Sequence, residues 1–388
     1  MTLDLDAPAA VDYRALARRI ATEVAAPAAA EVDRDARFPH ESFAALRAEG
    51  LLSAMIPVEL GGAGATVSDM AAVTEELGMA CASTGMVFAM HQIQINSLIR
   101  HGRSAALDEL KREICRDQLL VASATTEVGI GGDVRSSSCH VQLEGDTFRV
   151  TKQAPVISYG EQADLLFLTA RRNADSPPND QVLTVMRIKD IELERVGEWN
   201  TLGFRGTCSP GFVVRGHGPA DLILDDPYGD ISARSMLPSA HILWGHLWFG
   251  MATQAVNQAR AFVRAAARSK PGTVPPGAQR LAELMVVHQQ MAELVRGAAA
   301  RYEATYDDVD AQSSISFAVA MNSLKVSASS LLIDIVGKAL VIVGIMGYRE
   351  DSAYSLGRVL RDAWGAPLMV NNDRILGNNA QLLLVSKD

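Results

Sequence analysis

The sequence predicts a mostly helical protein with a β-rich middle part, and two observations lead to this prediction. Apolar residues recur at helical spacing in the first third and in the last part of the chain, whereas short strand-like runs lie between them. Aromatic residues make up only 5% of the 388 residues, so the core must consist mainly of aliphatic side chains, which favours helices over a large β-sandwich. We therefore expect an N-terminal helical domain over residues 1–122, a middle β domain over 123–232 and a C-terminal helical domain over 233–388.

Four helices are predicted in the first part. Residues 13–35 are rich in Ala, with apolar and charged residues at helical spacing. Pro39 suits the first turn of a second helix, which ends before Gly50. The apolar patterns at 67–78 and 83–101 predict two more helices.

The sequence of the middle part predicts short strands. Residues 141–143 and 148–150 flank Glu144-Gly145-Asp146, a pattern that predicts a β-hairpin with a short turn. Further strands are expected at 165–170, 182–188, 191–199 and 211–214.

Helical periodicity returns in the last part of the chain. Long helices are expected at 241–268, 277–307, 315–343, 352–361 and 373–385. The most apolar stretch, 327–348, is interrupted by Asp334 and Lys338. A buried core helix therefore fits this stretch better than a membrane span does.

Charge and cysteine content narrow the partners and the compartment. The net charge is −9, from 36 basic and 45 acidic residues, and no block of Lys or Arg occurs, so we expect no nucleic-acid partner. The four cysteines form no C-x-x-C pair, which disfavours a disulfide framework or a metal site. The N-terminus has no basic segment typical of a signal peptide. We expect a soluble cytoplasmic protein that does not bind membranes.

Five local motifs follow one another along the chain. They are Leu60-Gly61-Gly62-Ala63-Gly64, Thr126-Glu127-Val128-Gly129-Ile130-Gly131-Gly132-Asp133, Leu202-Gly203-Phe204-Arg205-Gly206-Thr207, Gly344-x-x-Gly347-Tyr348 and Arg358-x-x-Arg361-Asp362-Ala363. In this order and spacing the series resembles the acyl-CoA dehydrogenase flavoprotein family over nearly the whole chain. The resemblance implies a helical N-terminal domain, a β-barrel-like middle domain, a C-terminal four-helix bundle and FAD as cofactor.

The resemblance assigns flavin contacts to two turns. Thr126 takes the position of a residue that hydrogen-bonds the flavin ring, and Gly131 and Gly132 lie along the diphosphate, with Gly132 in place of the usual Ser. Ile157 and Ser158 match the family's W-I-T-N-G turn, where Ser158 replaces the Thr at the reactive edge of the flavin. Glycines suit such a turn because backbone N–H groups can then approach an anion closely. An ordinary Gly-rich turn and a strand-end turn are the alternatives.

Other cofactor contacts come from the C-terminal part. Gly344 and Gly347 match a segment that meets the flavin of a neighbouring subunit, and a helix-ending loop is the alternative. Arg268 matches an Arg that contacts the diphosphate, although the Phe-Gly that follows it in the family is absent, and an ordinary surface Arg is the alternative. Asn371 and Asn372 are expected beside the flavin.

The family's catalytic base is missing. The glutamate that removes the α-proton of the thioester falls on Val370 in the common position and on Ala240 in the other position. Candidates for a relocated base are His241, which could titrate near neutrality, Asp373 and His246. For His241 the alternative is an ordinary polar residue at a helix start, and for Asp373 we expect instead that its side chain caps the last helix. Val156 replaces the Trp that covers one flavin face, which leaves that face open.

Three functions remain open at this stage. The first is FAD-dependent α,β-dehydrogenation of an acyl thioester on CoA or a carrier protein, with electrons passing to an acceptor flavoprotein. The second is a two-component flavin monooxygenase, with FMN possible and a flavin reductase as partner. The third is a non-catalytic flavin- or thioester-binding protein. His241, Trp244, His246 and Trp248 favour a small or polar substrate, typical of specialised metabolism, and the resemblance implies a homodimer or homotetramer.

Overall fold

The computed structural model describes residues 11–130 and 133–386, and it places helices on both sides of a β-rich middle part. The predicted fold class is therefore confirmed. The predicted residues Gly131 and Gly132 lie outside the described residues.

Helices make up the N-terminal part. Their bounds are α1 Tyr13–Ile20, α2 Ala26–Arg34, α3 His40–Ala48, α4 Val67–Ala80, α5 Ala82–His101 and α6 Ala105–Asp117. A π-helical turn, Ala21–Ala25, joins α1 to α2, so the predicted first helix is one nearly continuous rod. Helix α6 was not predicted; it begins after Ser104, whose side chain accepts a hydrogen bond from the N–H of Leu107.

The middle part contains two small sheets. The strands are β1 Val121–Ala124, β2 Gln142–Glu144, β3 Thr147–Ala154, β4 Leu165–Arg171, β5 Gln181–Arg187, β6 Glu192–Arg195 and β7 Phe212–Pro219. One sheet has the order β1-β4-β5 and the other β2-β3-β7-β6. The predicted hairpin is β2–β3, with Leu143 opposite Phe148. Strand β1 was not predicted, β6 is shorter than expected and β7 is longer.

Helices also make up the C-terminal part. Their bounds are α7 Tyr228–Ile231, α8 Leu237–Ser269, α9 Ala278–Ala304, α10 Val309–Gln312, α11 Ile315–Val343, α12 Ile345–Tyr348, α13 Gly357–Ala363, α14 Gly365–Leu368 and α15 Asn372–Val385. The helix expected at 352–361 begins only at Gly357.

The N- and C-terminal helices share one core. Helix α8 packs against α4 so closely that a Cβ on Gly250 would overlap the backbone oxygen of Glu75. On its other side α8 packs against α11. Contacts of His241 with Met321 and of Trp248 with Lys325 show that α8 and α11 run in the same direction. This arrangement places one face of α8 beside the middle of α11.

Helix α11 is, within the described residues, the one helix long and apolar enough to cross a membrane. It packs against α8, α9 and α15, and a core helix of a folded domain has the same length and composition.

Candidate active site

The turn that follows β1 contacts the turn that follows β3. The Thr126 hydroxyl donates a hydrogen bond to the carbonyl oxygen of Val156 at 3.3 Å, and the N–H of Val128 donates to the oxygen of Gln153 at 2.9 Å. Gly129 has a φ of 92°, a conformation that favours glycine, and open space lies where a Cβ would be. The two turns that the sequence assigns to the flavin are thus in direct contact.

Ser158 is hydrogen-bonded to the protein and is partly exposed. The Ser209 hydroxyl donates to the Ser158 oxygen at 2.8 Å, and the N–H of Ile157 donates to the oxygen of Pro210 at 3.0 Å. Because Ser158 accepts this bond, its own hydroxyl hydrogen can be donated to a ligand. Val156 beside it is 38% exposed, so the surface that the family covers with Trp is open here.

A buried carboxylate anchors the chain beyond the Gly-rich turn. Glu127 accepts hydrogen bonds from the hydroxyl groups of Ser137 and Ser138 and from the N–H of Cys139, and Lys152 lies 3.9 Å away. Burial raises the pKa of Glu127, but these hydrogen bonds and the lysine outweigh it, so the pKa lies below its usual value. The carboxylate therefore stays charged and fixes the segment that would border the cofactor.

The late β loop, residues 202–207, is hydrogen-bonded to α13. The Asp362 carboxylate accepts a hydrogen bond from the N–H of Phe204 at 2.6 Å, and a Cβ on Gly203 would lie 2.5 Å from the oxygen of Arg361. Burial raises the pKa of Asp362 to about 6. Two more of the motifs, one from the middle part and one from the C-terminal part, therefore meet in space.

These residues fit a flavin. Open space lies beside Gly129, Val156 is 38% exposed, and the Ser158 hydroxyl has a hydrogen that can be donated to a ring nitrogen or oxygen. Thr126 and Ser158 would hold the ring system, and the Gly-rich turn would border the phosphates. Ile157 is fully buried and its N–H donates to the oxygen of Pro210, so it supports this turn from the protein side.

The loop at the position of the missing glutamate has a strained backbone. Val370 has a φ of 44°, which is rare for a β-branched residue. Its carbonyl oxygen accepts a hydrogen bond from the Lys325 Nζ at 2.9 Å. The same Nζ donates to the Asn372 Oδ1 at 2.7 Å, and the Asn372 amide donates to the Ser329 hydroxyl at 3.0 Å. A lysine from α11 therefore holds this loop in place.

Asn371, not Asp373, caps the last helix. The Asn371 side chain accepts a hydrogen bond from the N–H of Asp373 at 2.8 Å. The expectation that the Asp373 side chain is the cap is therefore wrong, because the helix begins one residue earlier than expected. Asp373 itself is exposed in the first turn.

Sequence reasoning missed Lys325. Its side chain is fully buried on α11, and burial lowers its pKa to about 7. No carboxylate among residues 11–130 and 133–386 forms an ion pair with it. The available signal was a lysine between Leu324 and Val326, inside an apolar helical run.

His241 is buried beside this lysine and stays neutral. Its Nδ1 donates to the oxygen of Met321 at 3.0 Å, which leaves Nε2 as an acceptor without a partner. Burial lowers the pKa of His241 to about 4. The expectation that His241 could titrate near neutrality is therefore wrong. The indole N–H groups of Trp244 and Trp248 are also buried without a partner. Ala240, the second glutamate position, is buried too.

His246 faces a different helix. Its Nδ1 lies 3.2 Å from the Glu75 Oε2 on α4, and Arg14 binds the same carboxylate at 2.8 Å. The structure thus places His246 in a buried ion network between α1, α4 and α8.

Arg268, Gly344 and Gly347 lie at the other end of the C-terminal helices. Arg268 is exposed in the last turn of α8, and Gly344, with a φ of 67°, ends α11. Gly344 follows Lys325 by 344 − 325 = 19 residues, and at about 1.5 Å per helical residue this is about 28 Å. These residues therefore do not join the loop of Val370 in the same chain.

Comparison with known proteins gives matches over most of the chain. Models of the acyl-CoA dehydrogenase N-terminal and C-terminal domains match residues 8–117 and 232–369. The short-chain specific acyl-CoA dehydrogenase of Clostridium acetobutylicum is 26% identical over 355 residues, which cover 90% of this chain and 91% of that protein.

Solved structures of two activities share the fold. The FMN-bound dibenzothiophene monooxygenase TdsC of Paenibacillus sp. A11-2 has a TM-score of 0.84 at 19% identity, covering 96% of this chain and 97% of its own. The butyryl-CoA dehydrogenase of Megasphaera elsdenii has a TM-score of 0.80 at 19% identity, covering 99% of this chain and 100% of its own. Because the two domain models account for both helical parts and the curated relative matches 90% of the chain, the protein belongs to the acyl-CoA dehydrogenase family.

Proposed function

We propose that the protein is an FAD-dependent oxidoreductase that forms a double bond between the α- and β-carbons of an acyl thioester, carried on CoA or on a carrier protein. One observation carries this proposal: the turns of Thr126 and Ser158 touch through a direct hydrogen bond, as a shared flavin surface requires. The similarity to a short-chain acyl-CoA dehydrogenase over most of the chain supports an acyl thioester as substrate.

The protein's own side chains have three tasks in this reaction. Bound FAD supplies a two-electron acceptor. The Ser158 hydroxyl donates a hydrogen bond to the edge of the ring, and Asp362 keeps the late β loop in position through Phe204. The buried helix face that carries Trp244 and Trp248 favours a small or polar acyl group.

An anaerobic titration tests this function. The purified protein is expected to be yellow, and butyryl-CoA, or a butyryl group on a carrier protein, is expected to bleach the flavin absorbance. A protein that retains flavin but is bleached by no short acyl thioester would exclude dehydrogenation. A protein that binds thioester but no flavin would instead favour a non-catalytic binding role.

A two-component flavin monooxygenase is the second candidate, and two observations favour it. Neither Val370 nor Ala240 supplies a carboxylate, and Val156 leaves one side of the flavin surface open. Such an enzyme would use FAD or FMN delivered by a flavin reductase. The test is to mix reduced flavin and protein with oxygen and a candidate substrate. Immediate release of hydrogen peroxide without any oxygenated product would argue against this candidate.

We also propose a homo-oligomer in the cytoplasm that passes electrons to an acceptor flavoprotein. The separation of about 28 Å between the Gly344 segment and the loop of Val370 supports the oligomer, because that segment could then serve the flavin of another subunit. The polar character of the helix face near His241 supports a role in specialised metabolism.

A further inference from the structure

Lys325 lies where the family's base is missing. Its Nζ is 2.9 Å from the carbonyl oxygen of Val370, the residue that occupies the common glutamate position. Ala240, the other glutamate position, precedes His241, whose charge state responds to Lys325. The Lys325 Nζ therefore contacts the loop of Val370 directly.

The hydrogen bonds of Lys325 match an uncharged amine. A neutral amine has two N–H donors and one lone pair, whereas an ammonium group has three donors and no lone pair. The side chain has two acceptors, the Val370 oxygen and the Asn372 Oδ1. Ser329 fixes the orientation of the Asn372 amide by accepting from its Nδ2. Both N–H groups of the amine are thus used, and the lone pair remains available for a proton.

The surroundings also favour the neutral form before reaction and tolerate the charged form after it. A buried ammonium without an anionic partner is costly, and burial lowers the pKa of Lys325 to about 7. His241 on α8 is neutral, and Asp373 and Arg374 on α15 are exposed. The ring of Trp248 lies 5.8 Å from Nζ and can stabilise a cation that forms there.

Buried polar atoms without partners lie on α8, the helix that packs against α11. The indole N–H groups of Trp244 and Trp248 and the Nε2 of His241 are all buried and unsatisfied. The ring centre of Trp244 lies 6.3 Å from that of His241 and 6.4 Å from that of Trp248. Natural proteins leave few such atoms unpaired. Two such donors on the helix that packs against Lys325 suit a carbonyl whose oxygen gains negative charge when the adjacent carbon loses a proton.

We propose that Lys325 is the proton acceptor that replaces the glutamate, and this inference rests on the proposed dehydrogenation. The Cα–H bond of the acyl thioester breaks and its proton forms a new N–H bond on Nζ. The electron pair of that bond forms the Cα=Cβ double bond, while the β-hydrogen leaves with its electron pair to the oxidised flavin. The lysine then returns its proton to solvent.

Two substitutions separate a base from a residue that merely positions the loop. K325R keeps a long donor for the Val370 oxygen and Asn372 but stays protonated, so it cannot accept a proton. K325M removes both functions. General-base catalysis contributes about 10²–10⁴-fold, and we expect both variants to slow flavin bleaching by that amount. If K325R retains the wild-type rate, Lys325 only positions the loop and the proposal is wrong.

A rescue variant provides a second, independent test of the base. Adding V370E to K325M returns a carboxylate to the family's position, and we expect it to recover at least about tenfold of the lost rate, a part of what a general base contributes. The wild-type rate should rise with pH through about 7, as the amine loses its proton. In the rescued protein that rise should move to the pKa of the new carboxyl group. An unchanged pH profile in the rescued protein would contradict the proposal.

Two readouts do not depend on turnover. In the flavin-loaded enzyme, chemically reduced and kept in D₂O without oxygen, butyryl-CoA should exchange its α-hydrogens for deuterium in wild type but not in K325R. In protein labelled with ¹⁵N-lysine, the Nζ signal that disappears in K325R should titrate near pH 7. Titration near the ordinary lysine value would overturn the proposal.

Different results would overturn the proposed dehydrogenase function and the role of Lys325 as the base. If flavin bleaching in K325R and K325M is as fast as in the wild-type protein, Lys325 is not the base, and the dehydrogenase function still stands. A wild-type protein that neither bleaches nor exchanges α-hydrogens with any thioester overturns both.

Discussion

Asp362 shows how one buried carboxyl group connects two domains at a cost in stability. Its carboxylate accepts the N–H of Phe204, so α13 is fastened to the late β loop. Burial raises its pKa from 3.8 to about 6. The folded protein therefore holds this proton more tightly than the unfolded chain does, and the associated stability is complete below about pH 4 and is lost as pH rises through 6.

We expect D362N to remove this pH dependence. An asparagine oxygen can still accept the N–H of Phe204 but carries no charge at any pH. The pKa change corresponds to about 3 kcal/mol, so the stability of D362N relative to wild type should improve by up to this amount between pH 4 and pH 8. Urea unfolding at both pH values measures it, with D373N at an exposed position as control. A constant difference between wild type and D362N would show that Asp362 does not titrate in this range.

The residues of the site divide by whether their role is local or depends on distant chain segments. Thr126 and Ser158 could be proposed as flavin contacts because each lies in a short motif, and that role stays a prediction. Lys325 could not, because its function depends on the carbonyl oxygen of Val370, 45 residues later (370 − 325). The neutral state of His241 was also hidden, since it results from burial by other helices.

At the scale of elements, the contact between α4 and α8 depends on a glycine. A Cβ on Gly250 would overlap the backbone oxygen of Glu75, and backbone cannot move aside as a flexible side chain can. We expect G250A to lower the free energy of unfolding by about 3 kcal/mol, at the upper end of the cost of overpacking a core. Thermal or urea unfolding measures the loss.

Gly297 on α9 provides the matched control. It lies within a helix, is exposed and has no atom within 4 Å of an added Cβ. Because alanine has the higher helix propensity, G297A should stabilise the protein by about 0.5–1 kcal/mol. Equal effects of the two substitutions would mean that the close approach of α4 and α8 does not limit stability.

Elements with a strong periodic pattern could be predicted, and those fixed by neighbours could not. The bounds of α11 agree with the expected 315–343, because its apolar period and its cap at Ser314 are local features. Strand β1 has only four residues and exists through its parallel pairing with β4, which begins 44 residues later (165 − 121). Strand β6 ends at Arg195 although its pattern continues, because its partner β7 begins at Phe212 opposite that residue.

At the scale of the whole molecule, the last helix has an apolar surface that no part of residues 11–130 and 133–386 covers. Leu376, Leu383 and Leu384 on α15 are 50%, 60% and 85% exposed. Trp364 and Leu368, in the segment that precedes the loop of Val370, are exposed as well. Exposed large apolar side chains of this kind are typical of an interface, and a second copy of this chain is the partner that the proposed oligomer requires.

We therefore expect the double variant L376E/L384E to break the oligomer. Each charge would have to be buried without a partner in the interface, which costs several kcal/mol. Light scattering should show a smaller assembly. Flavin affinity should fall by about tenfold or more, because the Gly344 segment of a neighbour would no longer reach the cofactor. A loss of about 1.4 kcal/mol of contact energy has this effect on affinity. The exposed loop residue Val274, changed to Glu, is the control. If L376E/L384E keeps its assembly state, α15 does not form the interface. If it dissociates yet binds flavin as tightly as wild type, Gly344 and Gly347 do not serve a neighbouring subunit.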